Sequence, residues 1–521
     1  MNLSQFFEHW RIEENPFRGE EARHDTVFAR MARIGAAASD RGAAPPQARA
    51  EHSDFEKVLG DLHRPSTSIV FGEKGSGKTA MRLQLADAVR AHNTAHEDAQ
   101  VFLIDYDDLN GVLDRYHAHF GDAKDDPAEA LRQIRLVDHI DAILATGVTR
   151  LTSSVLGLSP GDDLNHPAPA SRAARRADLS IRRTMLVLQA VYDRGERPDE
   201  RTPRARRALG LSPNWRGVGR AALIVLGWVP AGIWLYVWLR MGLDGWQSEA
   251  AFWALVLCSV AYAAILAKLL LWDRFTLARL AARLRRQQRT AARSERSFAS
   301  SLARLEPSLR EPDTLPLTDS DDQRYAMLDR FRSVLAALGY SGIIVLVDRV
   351  DEPTLISGDP ERMRAVVWPM LNNKFLQQDG FGLKLLLPIE LRHALFKESS
   401  AFFQEARLDK QSLVERLTWT GAMLYDVCDA RLRACRASGA EPIALLDLFA
   451  EDVSRQDLVD ALDQMHQPRD AFKFLYACLS EHCSNVTADQ ESFRIPRLVL
   501  EQVRKREAER LQQLYRGIRP A

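Results

Sequence analysis

Residues 71–80, "FGEKGSGKTA", decide what kind of fold this chain adopts. They contain the pattern G-x-x-x-x-G-K-[ST], follow the apolar run "TSIVF" (67–71) and precede the helical pattern "AMRLQLADAVRAH" (80–92). A strand that leads through a glycine-rich loop into a helix is the context in which this pattern binds phosphate groups. We therefore predict that the chain binds a nucleotide at this loop.

Each type of residue in the loop has an expected role. Glycines let backbone N–H groups wrap around phosphates at the N-terminus of a helix. The ammonium group of Lys78 would reach the β and γ phosphates and act in catalysis, and the hydroxyl of Thr79 would hold Mg²⁺. The expected ligands are ATP and Mg²⁺. The predicted nucleotide-binding residues are Gly72, Glu73, Lys74, Gly75, Ser76, Gly77, Lys78, Thr79 and Ala80.

Short apolar runs predict the sheet on which the loop rests. They are β-rich and each is followed by a polar or turn residue: 67–71, 100–104, 342–347, 383–387 and, more weakly, 413–419. With helical patterns between them, these runs predict an α/β fold in which helices flank a parallel sheet. About 200 residues separate the second run from the third, so the sheet is interrupted by a large insertion.

The insertion contains two long apolar runs. Residues 221–239 carry no charge, and residues 250–272 carry only Lys268, near the end. At about 1.5 Å per residue the first run reaches about 28 Å, close to the thickness of bilayer hydrocarbon. Tryptophan is concentrated here, as in an interfacial aromatic belt. We predict a transmembrane hairpin in contact with lipid; a buried helical hairpin in a protein core is the alternative.

Arginines predict how the hairpin is oriented. The segment between the runs, "RMGLDGWQSE", has a single basic residue, whereas the flanks are rich in arginine: Arg201, Arg204, Arg206, Arg207, Arg216 and Arg220 before, and Arg274, Arg279, Arg283, Arg285, Arg286, Arg289, Arg293 and Arg296 after. Basic flanks stay in the cytoplasm. We expect a protein of the cytoplasmic membrane with its nucleotide domain in the cytoplasm, and a helix over 274–305 near anionic headgroups.

A second motif predicts the acids of the site. In "GIIVLVDRVDEP" (342–353), Asp348 ends an apolar strand that we expect to lie adjacent to the phosphate loop. Asp348 would help to hold Mg²⁺, and Asp351 or Glu352 would orient and deprotonate the attacking water as the catalytic base. Ordinary solvated acids at a strand end are the alternative.

These motifs resemble a known family. The phosphate loop together with "VDRVDE" is similar to the AAA+/STAND branch of P-loop NTPases, with a Walker B motif of the NACHT type. Paired membrane spans between the two motifs resemble KAP NTPases, although Arg349 stands where those proteins usually carry a second acid. "ENPF" (14–17), leading into "HSDFEKVLGDL" (52–62), resembles the segment that covers the adenine base in some bacterial AAA+ ATPases.

The resemblance implies further site residues. Glu390 or Arg392 would be the polar sensor at a strand tip, and Arg469, in "QPRDAFKFLY" (467–476), would reach the γ phosphate from a C-terminal helical lid. An arginine finger that acts across a subunit boundary would be Arg407 or Arg416, which implies a homo-oligomer. For both, a surface salt bridge is the alternative.

Composition limits the other possibilities. The 70 basic and 70 acidic residues give zero net charge, so no global field attracts nucleic acid, and a translocase or clamp loader is not favoured. The five cysteines contain no CxxC pair, so neither a disulfide framework nor a zinc site is indicated. Cys478, His482 and Cys483 are expected to pack as ordinary helix residues.

Together these motifs predict a membrane-anchored ATPase that couples ATP binding and hydrolysis to a conformational change or to oligomerisation. The alternative is a signalling switch or scaffold, with an unknown protein partner and little turnover. The expected organisation is an NTPase domain in two parts (1–120 and 325–425), a helical insertion (121–215), the hairpin (216–273), an arginine-rich helix and linker (274–324) and a helical lid (426–521).

Overall fold

The computed structural model describes most of the chain. The described residues are 1–18, 21–39, 51–120, 127–158, 170–212, 222, 232–236, 239, 249–291, 293–486 and 492–515. They form two compact units. Unit 1 combines Met1–Leu109 with Ser341–Ala521, and unit 2 is Asn110–Tyr340.

The elements follow one another in this order. Before residue 110 lie α1 (Leu3–His9), α2 (Thr26–Ser39), α3 (Phe55–Leu59), β1 (Ser68–Gly72), α4 (Lys78–Ala95) and β2 (Gln100–Tyr106). Then come α5 (Asn110–Phe120), α6 (Pro127–Leu131), α7 (Leu136–Val155), α8 (Ala170–Arg176), α9 (Leu179–Tyr192), α10 (Pro198–Ala208), α11 (Glu249–Ala267), α12 (Asp273–Gln287), α13 (Glu295–Ala303) and α14 (Asp321–Ala336). The chain ends with β3 (Tyr340–Val347), α15 (Pro360–Val367), α16 (Asn373–Leu376), β4 (Phe381–Pro388), α17 (Ile389–Leu395), α18 (Ser400–Ala406), β5 (Ser412–Val414), α19 (Gly421–Ala434), α20 (Arg455–Asp463), α21 (Pro468–Asn485) and α22 (Arg497–Tyr515).

Unit 1 is built on the predicted five-stranded parallel sheet flanked by helices. The strand order is β2-β3-β4-β1-β5, and β1 pairs in parallel with β4 and with β5. All five predicted apolar runs form strands, although the fifth is only three residues long. Strand β3 does not pair with β1, because β4 lies between them. Asp348, at the end of β3, nevertheless reaches the loop, since the Thr79 hydroxyl donates to it at 3.0 Å.

Helix α4 places the loop against this sheet. Its apolar residues Met81, Leu85 and Val89 recur every four positions, so they lie on one face of the helix. They are buried in one cluster with Val70 of β1, Leu346 of β3 and Leu386 of β4. This packing fixes the start of α4 at the carboxyl edge of the sheet.

The C-terminal helices form a second core in unit 1. Buried side chains of α19, α20, α21 and α22 pack with Phe6 of α1 and with Phe17. The guanidinium of Arg431, on α19, holds the N-terminal segment in place, because it donates to the carbonyl of Pro16 at 2.7 Å and to Asp25 at 2.6 Å. The segment "ENPF" is therefore fixed to the C-terminal helices.

All the regular elements of unit 2 within the described residues are helices, apart from the first residue of β3. The chain is helical without a break from Glu249 to Gln287, through a π-helical turn at Lys268–Trp272. The helix expected over 274–305 is interrupted, because α12 ends at Gln287 and Ser294 caps α13. Arg289 and Arg293, expected near headgroups, instead bind Asp138 at 2.6 Å and the carbonyl of Ala190 at 2.7 Å.

Only part of the predicted hairpin can be described. Of the first apolar run, just 222, 232–236 and 239 belong to the described residues, and all of them are helical. The indole of Trp234 donates to the hydroxyl of Ser259 on α11 at 3.1 Å, which joins the two runs. Within the described part of the chain, no helix combines the length and the apolar character needed to cross a bilayer.

Candidate nucleotide site

The loop between β1 and α4 is shaped by glycine. Gly75 and Gly77 have φ values of +95° and +93°, in the left-handed region that favours glycine. A methyl group at Gly72 would lie 2.4 Å from the hydroxyl oxygen of Ser76, so the Ser76 side chain would have to move. These conformations curl the loop back over the end of β1, and α4 begins immediately afterwards at Lys78.

Lys78 lies inside this curl. Its ammonium group donates to the carbonyl of Gly72 at 2.7 Å and to that of Glu73 at 2.9 Å. Burial lowers the pKa of Lys78, and an opposing effect comes from the carboxylates of Asp348, Asp351, Glu390 and Glu73. A phosphate in the loop would supply better acceptors than two carbonyls, because hydrogen bonds between charged groups are the stronger ones.

Thr79 and Asp348 meet across the mouth of the loop. The Thr79 hydroxyl donates to the Asp348 carboxylate at 3.0 Å, although 269 positions separate them in the sequence. Asp348 is 1% exposed, and burial raises its pKa, while Thr79 and the cations Arg82 and Lys78 oppose that rise. A hydroxyl and a carboxylate are the oxygen ligands that Mg²⁺ prefers.

Three features of the loop fit a phosphate and Mg²⁺. The glycine backbone forms a cradle that side chains would fill. The hydroxyl oxygen of Ser76 is buried and has no hydrogen-bond partner among the described residues. The oxygens of Thr79 and Asp348 are already in contact. Ala80 lies in the first turn of α4, whereas Lys74 is an exposed residue at the loop tip.

The two candidate bases differ in their surroundings. Glu352 forms an ion pair with Arg349 at 3.2 Å, and Arg349 also binds Glu21. Burial raises the pKa of Glu352, while Arg349 acts in the opposite direction. Asp351 is close enough for its charge to raise the pKa of Lys78. The charge of Asp351 therefore lies near the loop, whereas the carboxylate of Glu352 is paired with Arg349.

Arg349 itself has an unusual backbone. Its φ of +61° lies in the left-handed region, which costs a non-glycine residue about 1 kcal/mol. This conformation directs the chain away from β3 immediately after Asp348, and the N–H of Glu352 then bonds the Arg349 carbonyl at 3.2 Å. This turn, from Arg349 to Glu352, places the Arg349 guanidinium beside the Glu352 carboxylate.

The first turn of α21 lies against the loop. A methyl group at Gly75 would be 3.1 Å from the Cβ of Arg469 and 3.1 Å from the side-chain oxygen of Gln467. The amide of Gln467 also donates to the Glu73 carboxylate. Arg469, predicted from the sequence to reach the γ phosphate, is thus beside the loop.

The remaining predicted residues are the two arginine-finger candidates and the two sensor candidates, and in each pair one residue lies near the loop. Arg416 pairs with Glu73 of its own chain, so it contacts the loop in cis. Arg407 ends α18 and pairs with Asp409 at 3.7 Å. Of the sensor candidates, Glu390 acts on the pKa of Lys78, whereas Arg392 pairs with Glu415 at 2.8 Å.

Sequence reasoning missed several residues that support the site. Arg82 is 6% exposed, binds Asp107 at 2.7 Å and approaches Asp348 at 3.7 Å. The signal was available, because Asp107 follows β2 and the carboxyl ends of parallel strands share one edge of a sheet.

The indole of Trp419 donates to the Ser76 carbonyl at 2.8 Å and stacks edge-on with His52. No motif pointed to Trp419.

The site thus joins β1, α4, β3 and the first turn of α21 around one loop. The contacts that define it are those of Thr79 with Asp348 and of Lys78 with the loop carbonyls. Comparisons with known protein families, with curated proteins and with solved structures gave no match.

Proposed function

We propose that this protein binds ATP with Mg²⁺ at residues 72–80 and hydrolyses it. One observation carries the proposal: the Thr79 hydroxyl and the buried Asp348 carboxylate are hydrogen-bonded at the mouth of a glycine-rich loop that ends in Lys78. The residue types and their places match what phosphoryl transfer requires, which is positioning of phosphate oxygens and neutralisation of their charge.

Each residue would have a defined task. Lys78 would exchange its two carbonyl contacts for phosphate oxygens, and Arg469 would approach the same phosphates from α21. Thr79 and Asp348 would hold Mg²⁺, which when bound neutralises charge on the phosphates. Asp351 or Glu352 would accept the proton of the attacking water. The pairing of Glu352 with Arg349 makes Asp351 the less encumbered candidate.

Measuring ATP turnover and ATP affinity on the same detergent-solubilised samples tests this proposal. We expect Lys78→Ala to weaken binding, whereas one of Asp351→Asn and Glu352→Gln should bind ATP and lose turnover about 10²-fold to 10⁴-fold. Wild-type protein that does not bind ATP with Mg²⁺ would overturn the proposal.

A nucleotide switch is the second candidate. The ion pair between Arg349 and Glu352 favours it, because a base held by an arginine is hindered in taking a proton from water. In that case wild type and both acid variants bind ATP equally and none turns over. The same assay therefore separates the two functions.

We also propose that residues 221–239 and 250–272 attach the protein to a lipid bilayer. On α11, Trp253, Leu257 and Val260 are spaced to share one face and are 64%, 73% and 63% exposed. Isolated apolar residues are ordinary at a surface, but a contiguous apolar face indicates contact with lipid or protein. The arginines that stay exposed after α11, such as Arg283, Arg285 and Arg286, favour lipid and a cytoplasmic nucleotide domain.

Alkaline extraction of membranes tests this attachment. We expect wild-type protein to stay in the membrane pellet, and a Leu257→Arg, Val260→Arg double variant to be released in part. Full release of the wild type by carbonate at high pH would contradict a membrane anchor.

In the membrane-bound protein, protomers would assemble so that Arg407 of one protomer reaches the nucleotide of its partner.

A further inference from the structure

Three histidine side chains converge at the carboxyl end of α4, the end opposite the phosphate loop. They are His63, from the segment between α3 and β1, His92, from the last turn of α4, and His96, the residue that caps the end of α4. We propose that they bind a transition-metal dication of the Zn²⁺ class. This site is independent of the proposed nucleotide function.

The spacing of the three rings suits chelation. The His92 and His96 rings stack at 4.4 Å between centroids. The His63 ring lies 5.0 Å and 5.2 Å from them. One nitrogen of each ring lies within 4.8 Å of the other two. Tetrahedral zinc needs about 3.4 Å between nitrogens, given bonds of about 2.1 Å. Binding of an ion would therefore require the rings to rotate toward one another.

Backbone contacts prepare two of the rings. Nε2 of His92 bonds the Ala99 carbonyl at 3.1 Å, and Nδ1 of His96 bonds the carbonyl of His92 at 3.1 Å. Each of these nitrogens would carry the proton, which leaves Nδ1 of His92 and Nε2 of His96 for a metal. A bond from the second ring nitrogen to a carbonyl is the usual support of a metal-binding histidine, because it fixes the tautomer and the ring orientation.

The surroundings favour a cation. The free carbonyls at the carboxyl end of a helix carry partial negative charge. Asp61 adds a carboxylate close to the cluster, and it holds the His63 segment through a 2.8 Å bond from the backbone N–H of His63.

Three nitrogen ligands define the class of metal. Imidazole suits Zn²⁺, Ni²⁺, Co²⁺ and Cu²⁺ rather than Mg²⁺ or Ca²⁺, which prefer oxygen. The fourth position would be filled by water. A bound ion would join the segment before β1 to the end of α4, so it would tie together the two ends of the strand–loop–helix unit that forms the phosphate loop.

The test uses the full chain in detergent after treatment with a chelator. Zn²⁺ is titrated calorimetrically into wild type, His63→Gln, His96→Gln and the control His24→Gln, which removes an exposed histidine outside the cluster. We expect one equivalent to bind to wild type and to the control, and each cluster variant to lose at least about 10-fold in affinity. Equal binding by all four proteins would overturn the proposal.

Cobalt spectra identify the ligands. We expect Co²⁺ to give the visible bands of a tetrahedral nitrogen site in wild type, without a thiolate charge-transfer band. His96→Cys should keep binding and add that band, because thiolate is also a good ligand of this metal class. A thiolate band already present in wild type would place the metal at a cysteine instead and would contradict the assignment.

Discussion

Asp348 in unit 1 and Asp141 in unit 2 are both 1% exposed, but their partners differ in kind. Asp141 accepts from the guanidinium of Arg324 through two nitrogens at 3.3 Å and from the Tyr192 hydroxyl at 2.9 Å. Asp348 accepts from the neutral hydroxyl of Thr79 at 3.0 Å, and the nearest guanidinium, that of Arg82, is 3.7 Å away. A buried acid with a directly bound cation is structural, whereas one held by neutral groups can still take a cation.

Lys384 extends the comparison to a buried cation. It is fully buried in β4, and its ammonium donates to two neutral oxygens, the Leu59 carbonyl at 3.0 Å and the Ser68 hydroxyl at 3.1 Å. Burial lowers the pKa of Lys384 to about 7. Because both hydrogen-bond acceptors of Lys384 are neutral, no anion offsets the cost of burying its charge, and its protonation depends on pH.

Asp348→Asn should have the largest effect on function. The amide keeps the shape but not the charge, so we expect turnover with Mg²⁺ to fall about 10³-fold, the equivalent of several kcal/mol. The folded state should be no less stable, because a buried charge without a directly bound cation is removed. Steady-state kinetics and urea unfolding on the same sample check both parts. Loss of stability with retained turnover would reverse the roles assigned to the two acids.

Asp141→Asn should instead affect stability. It leaves the Arg324 guanidinium buried without its anion, and breaking a buried pair in this way costs about 3–5 kcal/mol. Urea unfolding of the full chain measures this loss. The matched double change Asp141→Leu with Arg324→Met should recover much of it, because no charge then remains buried. A double variant as unstable as the single variant would argue against an electrostatic cause.

Lys384 predicts a pH dependence. Between about pH 7 and its ordinary pKa, the unfolded chain binds the lysine proton and the folded chain does not. Stability therefore rises with pH across this window, by about 1.4 kcal/mol per pH unit. The gain is lost progressively as pH falls to about 7, and below that both states bind the proton, so Lys384 adds no further pH dependence. The difference in unfolding free energy between wild type and Lys384→Met, measured from pH 7 to 9, should show this slope. Parallel curves would show that Lys384 stays charged.

Arg349→Ala should have the smallest effect. Glu352 is about half exposed, and exposed pairs are worth less than about 1 kcal/mol, so releasing it changes turnover by no more than about fivefold. An increase in turnover would identify Glu352 as the base held back by Arg349. Unchanged turnover would favour Asp351. Thermal unfolding serves as the control, since the left-handed backbone at Arg349 makes this position sensitive to substitution.

Local patterns predicted much of the site. The strand, loop and helix at 67–92 follow from glycine spacing and apolar runs, and the resemblance implied a role for Arg469. What the patterns missed depends on contacts between distant segments. Arg82 is unremarkable in the sequence, and only the position of Asp107 and Asp348 at the same sheet edge gives it a role. The histidine cluster was missed for the same reason, because His63 comes from a separate segment.

The arginine-rich stretch after the second apolar run shows a case in which the sequence pattern predicted a structure that the chain does not adopt. Composition predicts one solvated helix, but Ser294 starts a new helix, and Arg289 and Arg293 turn inward to buried partners. A run of arginines in the sequence does not reveal which of their side chains face solvent and which face the protein interior. Acceptors such as the Asp138 carboxylate, distant in sequence, decide which arginines are buried.

The sequence by itself determined the parallel sheet, its interruption after the second strand and the glycine-rich loop between β1 and α4, because periodicity and glycine conformation are local properties of the chain. Only the tertiary structure decided the strand order, with β4 between β1 and β3, and the meeting of Thr79 with Asp348 across 269 positions. It also decided that Arg349 engages Glu352 and that three histidines converge. These outcomes depend on which distant segments pack together, and that is set by the burial of the whole core.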